Sequence, residues 1–245
     1  MSRLKSVAKS MGADALLSPY RNWMTKRGQH SWSQEGEDRV LARYFEGMPP
    51  GFYVDVGAHH PYRFSNTALL HRQGWRGINI DAMPGSMESF RKARPEDVNL
   101  EIGIADACGV ARFYVFNEKA LNTFDPDIAR AHTKGDWRVE REIEVPLMPL
   151  ADVLAQHVPA GQVIDLLTVD AEGRDLQVLR SNDWSRWRPR VVLAESLGQS
   201  IETVMNDPCA QFLLGVGYII FAKTVNTVMY VDQQHGATEG ARDVG

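Results

Sequence analysis

A chain of 245 residues is long enough for one sizeable core, and 44% hydrophobic with 24% charged residues is ordinary for a soluble globular protein. The net charge of -4 makes no overall case for nucleic acid as a partner, since phosphates need a basic surface, and the longest apolar run, GYIIFA at 217–222, is too short to span a bilayer. Two cysteines, Cys108 and Cys209, without CxxC or metal-ligand spacing fit a reducing compartment better than a disulfide framework.

The first thirty residues set six basic side chains against Asp14 alone, a local charge of +5. They lack the continuous apolar core of a signal peptide, so a cytoplasmic location is expected. Leu4, Val7, Ala8 and Met11 fall at helical spacing with Lys5 and Lys9 on the other side. This arm reads as solvated, or as a helix docked on its own domain or on a sister subunit in a homo-oligomer. A sharper reading makes it a peripheral attachment to anionic lipid at the inner face of the membrane.

The main domain is expected over 31–235, with 236–245 as a flexible tail. Ser31 or Ser33 is placed to cap a helix through EDRVLARYF, and Glu35, Glu37 and Asp38 suit its positive end. MPPG at 48–51 breaks that helix, and FYVDV is the first buried strand. Ser65 or Asn66 then caps TALLHRQ, which ends at Gly74. GINID is the second strand, PGSMESFRKA a helix with proline near its first turn, and NLEIGIAD the third strand.

Residues 107–148 interrupt this rhythm. ARFYVF and VEREIEVPL alternate in the period-2 manner of half-exposed strands around a polar loop at 117–138, so an inserted hairpin or lid is expected. Order returns with LADVLAQ (helix), VIDLLTVD (strand), RDLQVLRS (helix), VVLAE (strand) and TVMNDPCAQFLL (helix). YIIFAK and TVMYV close the chain, joined by a turn too tight for a helical crossover, and must be antiparallel. The alternation implies an α/β fold, a mostly parallel sheet with helices on both faces and an antiparallel C-terminal hairpin. By fold-level analogy, that hairpin suits S-adenosylmethionine (SAM) methyltransferases better than NAD-binding Rossmann domains.

The turn after the first strand supports the same choice. A dinucleotide fold needs GxGxxG to bring pyrophosphate against bare backbone at a helix N-terminus. In YVDVGAHHPYRFSNT only Gly57 remains, and His59, His60 and Pro61 would crowd a pyrophosphate. SAM carries no phosphate. It needs one tight turn beside its amino-acid end and an acid for its ribose. Asp81, ending the second strand, is placed for the ribose hydroxyls, and Asp106, ending the third, for the adenine amino group. An NAD(P)-dependent oxidoreductase and a non-catalytic SAM-fold binding module are the alternatives.

Taken in order, SQEGEDRVL, YVDVGAHHPYRFSNT, GWRGINIDAMP, IGIAD, LLTVDAEGRDLQVL and VVLAE closely resemble the FkbM family of SAM-dependent methyltransferases, over about 31–232. The resemblance implies a class I methyltransferase, Rossmann-like fold and O-methylation of a hydroxyl on a saccharide or natural product. The acceptor itself stays open.

Candidate residues follow from position. Asp55 is a turn-former, or bonds the GAHH turn and orients the SAM ammonium. Gly57, Ala58 and His59 of that turn, Ala82 after Asp81, and Ala105 before Asp106 complete the expected cofactor contacts. Ser65 and Asn66 are helix caps or cofactor ligands. Gln34 closes a capping box with Ser31 or reaches SAM. Asp170, Glu172 and Glu195 stand where two strands leave the sheet; Glu195, closing an apolar strand, must be used or paired, with Arg174 or Arg190 as structural partners. Used together, the three acids would serve as catalytic groups or as oxygen ligands to Mg²⁺ or Mn²⁺. His60 is the metal-free alternative base. His132, Lys134 and Trp137 read as surface residues, with Trp137 able to stack on a sugar ring.

Overall fold

The computed structural model describes residues 30–118, 121–133, 136–171 and 173–234. The expectations for the basic arm (but for its last residue), for Lys134, for Glu172 and for the tail lie outside the described residues.

Helix α1 (Glu37–Tyr44) begins after Gly36, whose φ of 93° admits the left-handed turn into it. Ser33 Oγ accepts from the amides of Gly36 (3.2 Å) and Asp38 (3.3 Å), so a serine satisfies the start of the helix from outside the cap position. The chain then alternates β1 (Phe52–Val56), α2 (Ala68–Arg72), β2 (Arg76–Asp81), α3 (Met87–Ala93) and β3 (Val98–Glu101). The strand expected over NLEIGIAD is broken at Ile102. Its second part, β4 (Gly103–Ile104), leaves the main sheet. The inserted segment holds β5 (Gly109–Phe116), α4 (Pro126–His132) and β6 (Val139–Met148). In it, α4 replaces part of the expected loop. Asp125 caps it by accepting from the amides of Asp127 (2.7 Å) and Ile128 (3.1 Å), and Pro126 sits in its first turn.

Helix α5 (Leu150–His157), β7 (Leu166–Val169), α6 (Asp175–Arg180) and β8 (Val191–Glu195) continue the alternation. The last expected helix is cut at Asp207, which ends a short 3-10 turn (Val204–Asn206) and caps α7 (Pro208–Gly215). β9 (Tyr218–Lys223) and β10 (Thr227–Asp232) close the fold.

Seven strands form the main sheet in the order β3-β2-β1-β7-β8-β10-β9, with β10 antiparallel to both neighbours. From β3 to β8 all pairings are parallel. The smaller sheet has the order β4-β6-β5. Period-2 geometry splits the core across the main sheet: Val54, Leu167 and Val192 pack on one face, Tyr53, Leu166 and Val191 on the other. The sheet grows from β1 to one side through β2 and β3 and to the other through β7 and β8, so β1 and β7 flank the switch point at which open parallel sheets bind ligands. No helix among the described residues is long and apolar enough to cross a membrane.

Candidate active site

A cleft of about 1060 Å³ opens at the carboxyl ends of β1, β2, β7 and β8. Gly57 makes the tight turn at its base with φ of 84°, and a Cβ there would lie 1.8 Å from the carbonyl oxygen of Asp170. The amides of Gly57 (2.9 Å) and Ala58 (3.0 Å) donate to the Ile80 carbonyl, which ties the turn to β2. Asp81 does the same from the other side, accepting from the amides of His59 (3.1 Å) and Met83 (2.7 Å). Burial raises its pKa, and the Met83 amide bond opposes that rise. Each carboxylate oxygen keeps a free lone-pair site for an incoming hydroxyl.

His60 lines the cleft beside this turn. Its Nδ1 accepts from the amides of Tyr62 and Arg63, both at 3.1 Å, and desolvation lowers its pKa. A neutral ring with Nδ1 engaged in this way carries its proton on Nε2. In that tautomer the ring can donate a hydrogen bond from Nε2.

Asp170 and Glu195 follow immediately on the paired residues Val169 and Ala194, so two neighbouring parallel strands deliver them to one cleft. Asp170 is open to solvent through the cleft mouth and otherwise surrounded by protein. Desolvation, and then the charges of Asp175 and Asp55, push it up to about 7. Glu195 is pushed up to about 8 by desolvation and by Asp170. Of the two arginines read as its structural partners, Arg174 lines the same cleft. Arg190 pairs with Asp165 at 3.0 Å, and Arg174 lies 5.1 Å over the Phe124 ring. Asp175, which the sequence reading missed, is buried, accepts from the Ala171 amide at 3.1 Å, and titrates at about 6 through burial. An acid in the first turn of α6, five residues after Asp170, was the signal for it.

Of the other expected site residues, Gln34, His59 and Ala82 also line the cleft. Asp55 lies beneath it, buried, accepting from Thr67 Oγ1 at 2.7 Å, with burial pushing it up to about 6. Ser65 and Asn66 do not cap α2, whose cap position is Thr67. Ser65 accepts from Arg94 Nη2 (3.1 Å), and Asn66 donates to Thr168 Oγ1 (3.1 Å). Ala58 and Ala105 are buried, and Asp106 is exposed and accepts from Gln177 Nε2 at 2.8 Å. Among the described residues no group of three or more His, Cys, Asp or Glu side chains is disposed to hold a metal ion. The expected site for Mg²⁺ or Mn²⁺ includes Glu172, which lies outside the described residues; its other two acids, Asp170 and Glu195, line the same cleft.

The insert supplies the far wall. Phe113 and Phe124 line the cleft with rings 4.6 Å apart, and Ala82 and Met83 pack against the Phe113, Val115 and Val145 cluster. Asn122, Thr123, His132 and Arg141 also reach the cleft. Trp137 is 51% exposed and does not line it.

The model of one protein family, described as the methyltransferase FkbM domain, matches residues 55–220. No curated protein matches the chain. Among solved structures, it is similar to a TehB-like SAM-dependent methyltransferase from Corynebacterium glutamicum ATCC 13032 Kitasato. The two share 12% identity over 91% of this chain and 100% of that one, with a TM-score of 0.40.

Proposed function

The chain belongs to the FkbM methyltransferase family, and from that premise we propose that it methylates a hydroxyl of a saccharide or glycosylated natural product with SAM as donor. Its residues fit that donor. The turn at Gly57 has no room for a side chain beside the Asp170 carbonyl, His59 and His60 line the cleft where a dinucleotide fold has glycines, and Asp81 offers an acid at the end of β2. When bound, SAM supplies an electrophilic methyl group on a sulfonium. Asp81 would hold the ribose, and the Gly57 turn would take the amino-acid end. The volume of about 1060 Å³ sits at the upper end of small-molecule pockets and leaves room for a second reactant.

One observation carries the hydroxyl assignment: Asp170 and Glu195 share the cleft with pKa values raised to about 7 and about 8. An alcohol is a poor nucleophile at neutral pH, and a carboxylate of raised pKa is a better proton acceptor for it than an ordinary one. Whichever of the two carboxylates is ionised can take up the proton the alcohol gives up. The donor nitrogen of His60 would orient the acceptor oxygen.

The test is transfer of label from methyl-labelled SAM to a panel of sugars, glycosylated metabolites, amines and thiols, with the product bond identified by mass spectrometry. Methyl ethers on a hydroxyl acceptor are expected. N- or S-methyl products alone would overturn the assignment.

A further inference from the structure

We propose that Arg94, which does not line the cleft, is a positioning residue that sets the conformation of the loop carrying His60. For its catalytic consequence this rests on the methyl transfer proposed above. Arg94 closes α3 and is fully buried. Three of its acceptors lie on one loop: Nη2 donates to the Pro61 carbonyl (2.6 Å) and Ser65 Oγ (3.1 Å), and Nη1 to Thr67 Oγ1 (2.9 Å). Nη1 also reaches Asn79 Oδ1 (3.1 Å) and the Tyr53 hydroxyl (3.2 Å), which anchor it to the sheet.

All five acceptors are neutral. The balancing acids stand one bond further off: Tyr53 donates to Asp97, and Thr67 to Asp55. A buried cation is costly even when well bonded, and an apolar side chain of that volume would pack at lower cost. What the guanidinium supplies is a rigid fork that spans loop and sheet at once.

The loop needs such a constraint. His59 has φ of 39° and Phe64 φ of 55°, left-handed conformations that side-chain-bearing residues adopt only where the surroundings over-determine them. The link to the cleft runs through one planar peptide group. The Pro61 carbonyl accepts from Arg94, and the N–H of the same peptide, on Tyr62, donates to His60 Nδ1. Turning that peptide breaks one of the two amide bonds that hold His60 Nδ1 as an acceptor, the other coming from Arg63 next along the same loop. Arg63 and Phe64, on the same loop, line the cleft as well.

The experiment uses the full chain, with long-range ¹H–¹⁵N spectra of the histidine rings and the His60 signal assigned by its loss in His60→Gln. The wild type should show Nδ1 as an unprotonated acceptor. In Arg94→Met that pattern should relax to mixed tautomers, and the Kd for S-adenosylhomocysteine should rise about tenfold, the order expected when a binding loop loses its support. Arg94→Lys, which keeps the charge without the fork, should fall between and serves if the methionine variant does not fold. An unchanged His60 pattern in every variant that folds, whatever its melting temperature, would overturn the positioning role. Failure of the wild type to bind S-adenosylhomocysteine would instead sink the methyltransferase reading and leave the tautomer comparison readable.

Discussion

Glu195 ends a strand whose other four residues are buried, and that position makes its charge expensive. Its carboxyl is raised to about 8 in the folded chain against about 4.3 in an unfolded one. For a group raised in this way, the stabilising contribution is complete below the unfolded value and is lost as pH climbs through the folded one. Glu195→Gln should therefore raise stability by about 1 kcal/mol at pH 9, discounted for solvent in the cleft, with the gain vanishing towards pH 4. Denaturant melts at the two pH values check it. The same change should abolish turnover, whereas wild-type activity should climb between pH 6 and 8 as Asp170 and Glu195 ionise. Asp81 answers to different arithmetic. It holds two backbone amides and faces the cleft, so Asp81→Ala should weaken SAM binding by about 1.5–3 kcal/mol, the scale for hydrogen bonds to a charged group. Titration calorimetry measures it, and unchanged affinity would remove Asp81 from the ribose site.

Among the elements, the insert does most to shape the cleft. β4 leaves the main sheet to pair with β6, so the small sheet is stitched to the end of β3 through one residue. The apolar side of the insert meets Ala82 and Met83 just beyond Asp81, with Phe113 buried at the contact. Phe113→Ala should cost about 3–5 kcal/mol, as large-to-small changes in a core do. Faster hydrogen exchange should be confined to β5, β6 and the segment after β2, because the main sheet has its own core. Exchange that quickens equally in β1 and β7 would show the insert to be no separate unit.

At the scale of the molecule, the cleft lies at the switch point between β1 and β7, where open parallel sheets bind ligands. S-adenosylhomocysteine should raise the melting temperature with rising concentration, while NADH should not, since the turn carries His59 and His60 where a pyrophosphate needs glycines. Stabilisation by NADH alone would return the fold to the oxidoreductases.

The pattern of the sequence determined much of this by itself. Buried runs such as FYVDV and VVLAE, spaced by amphipathic helices, specify a parallel sheet because a strand covered on both faces is apolar over most of its length. The two-strand ending specified the antiparallel closure. A lone glycine before two histidines departs from the glycine pattern of a dinucleotide fold. Those signals are local, carried by periodicity and by single turn residues.

Only the tertiary structure decided the rest. Asp55, Ser65 and Asn66 adjoin the glycine turn in sequence, but which groups they bond follows from how strand and loop fold together: Asp55 accepts from Thr67, Ser65 from Arg94, and Asn66 donates to Thr168. Arg94, in the exposed-looking run RKARPED, gave no sign of total burial, because its side-chain partners come from three other segments, β1, β2 and the loop before α2. The raised carboxyls of Asp170 and Glu195 likewise depend on residues 25 positions apart meeting at adjacent strand ends. Desolvation is a property of the surroundings, and the surroundings are assembled only when the chain folds.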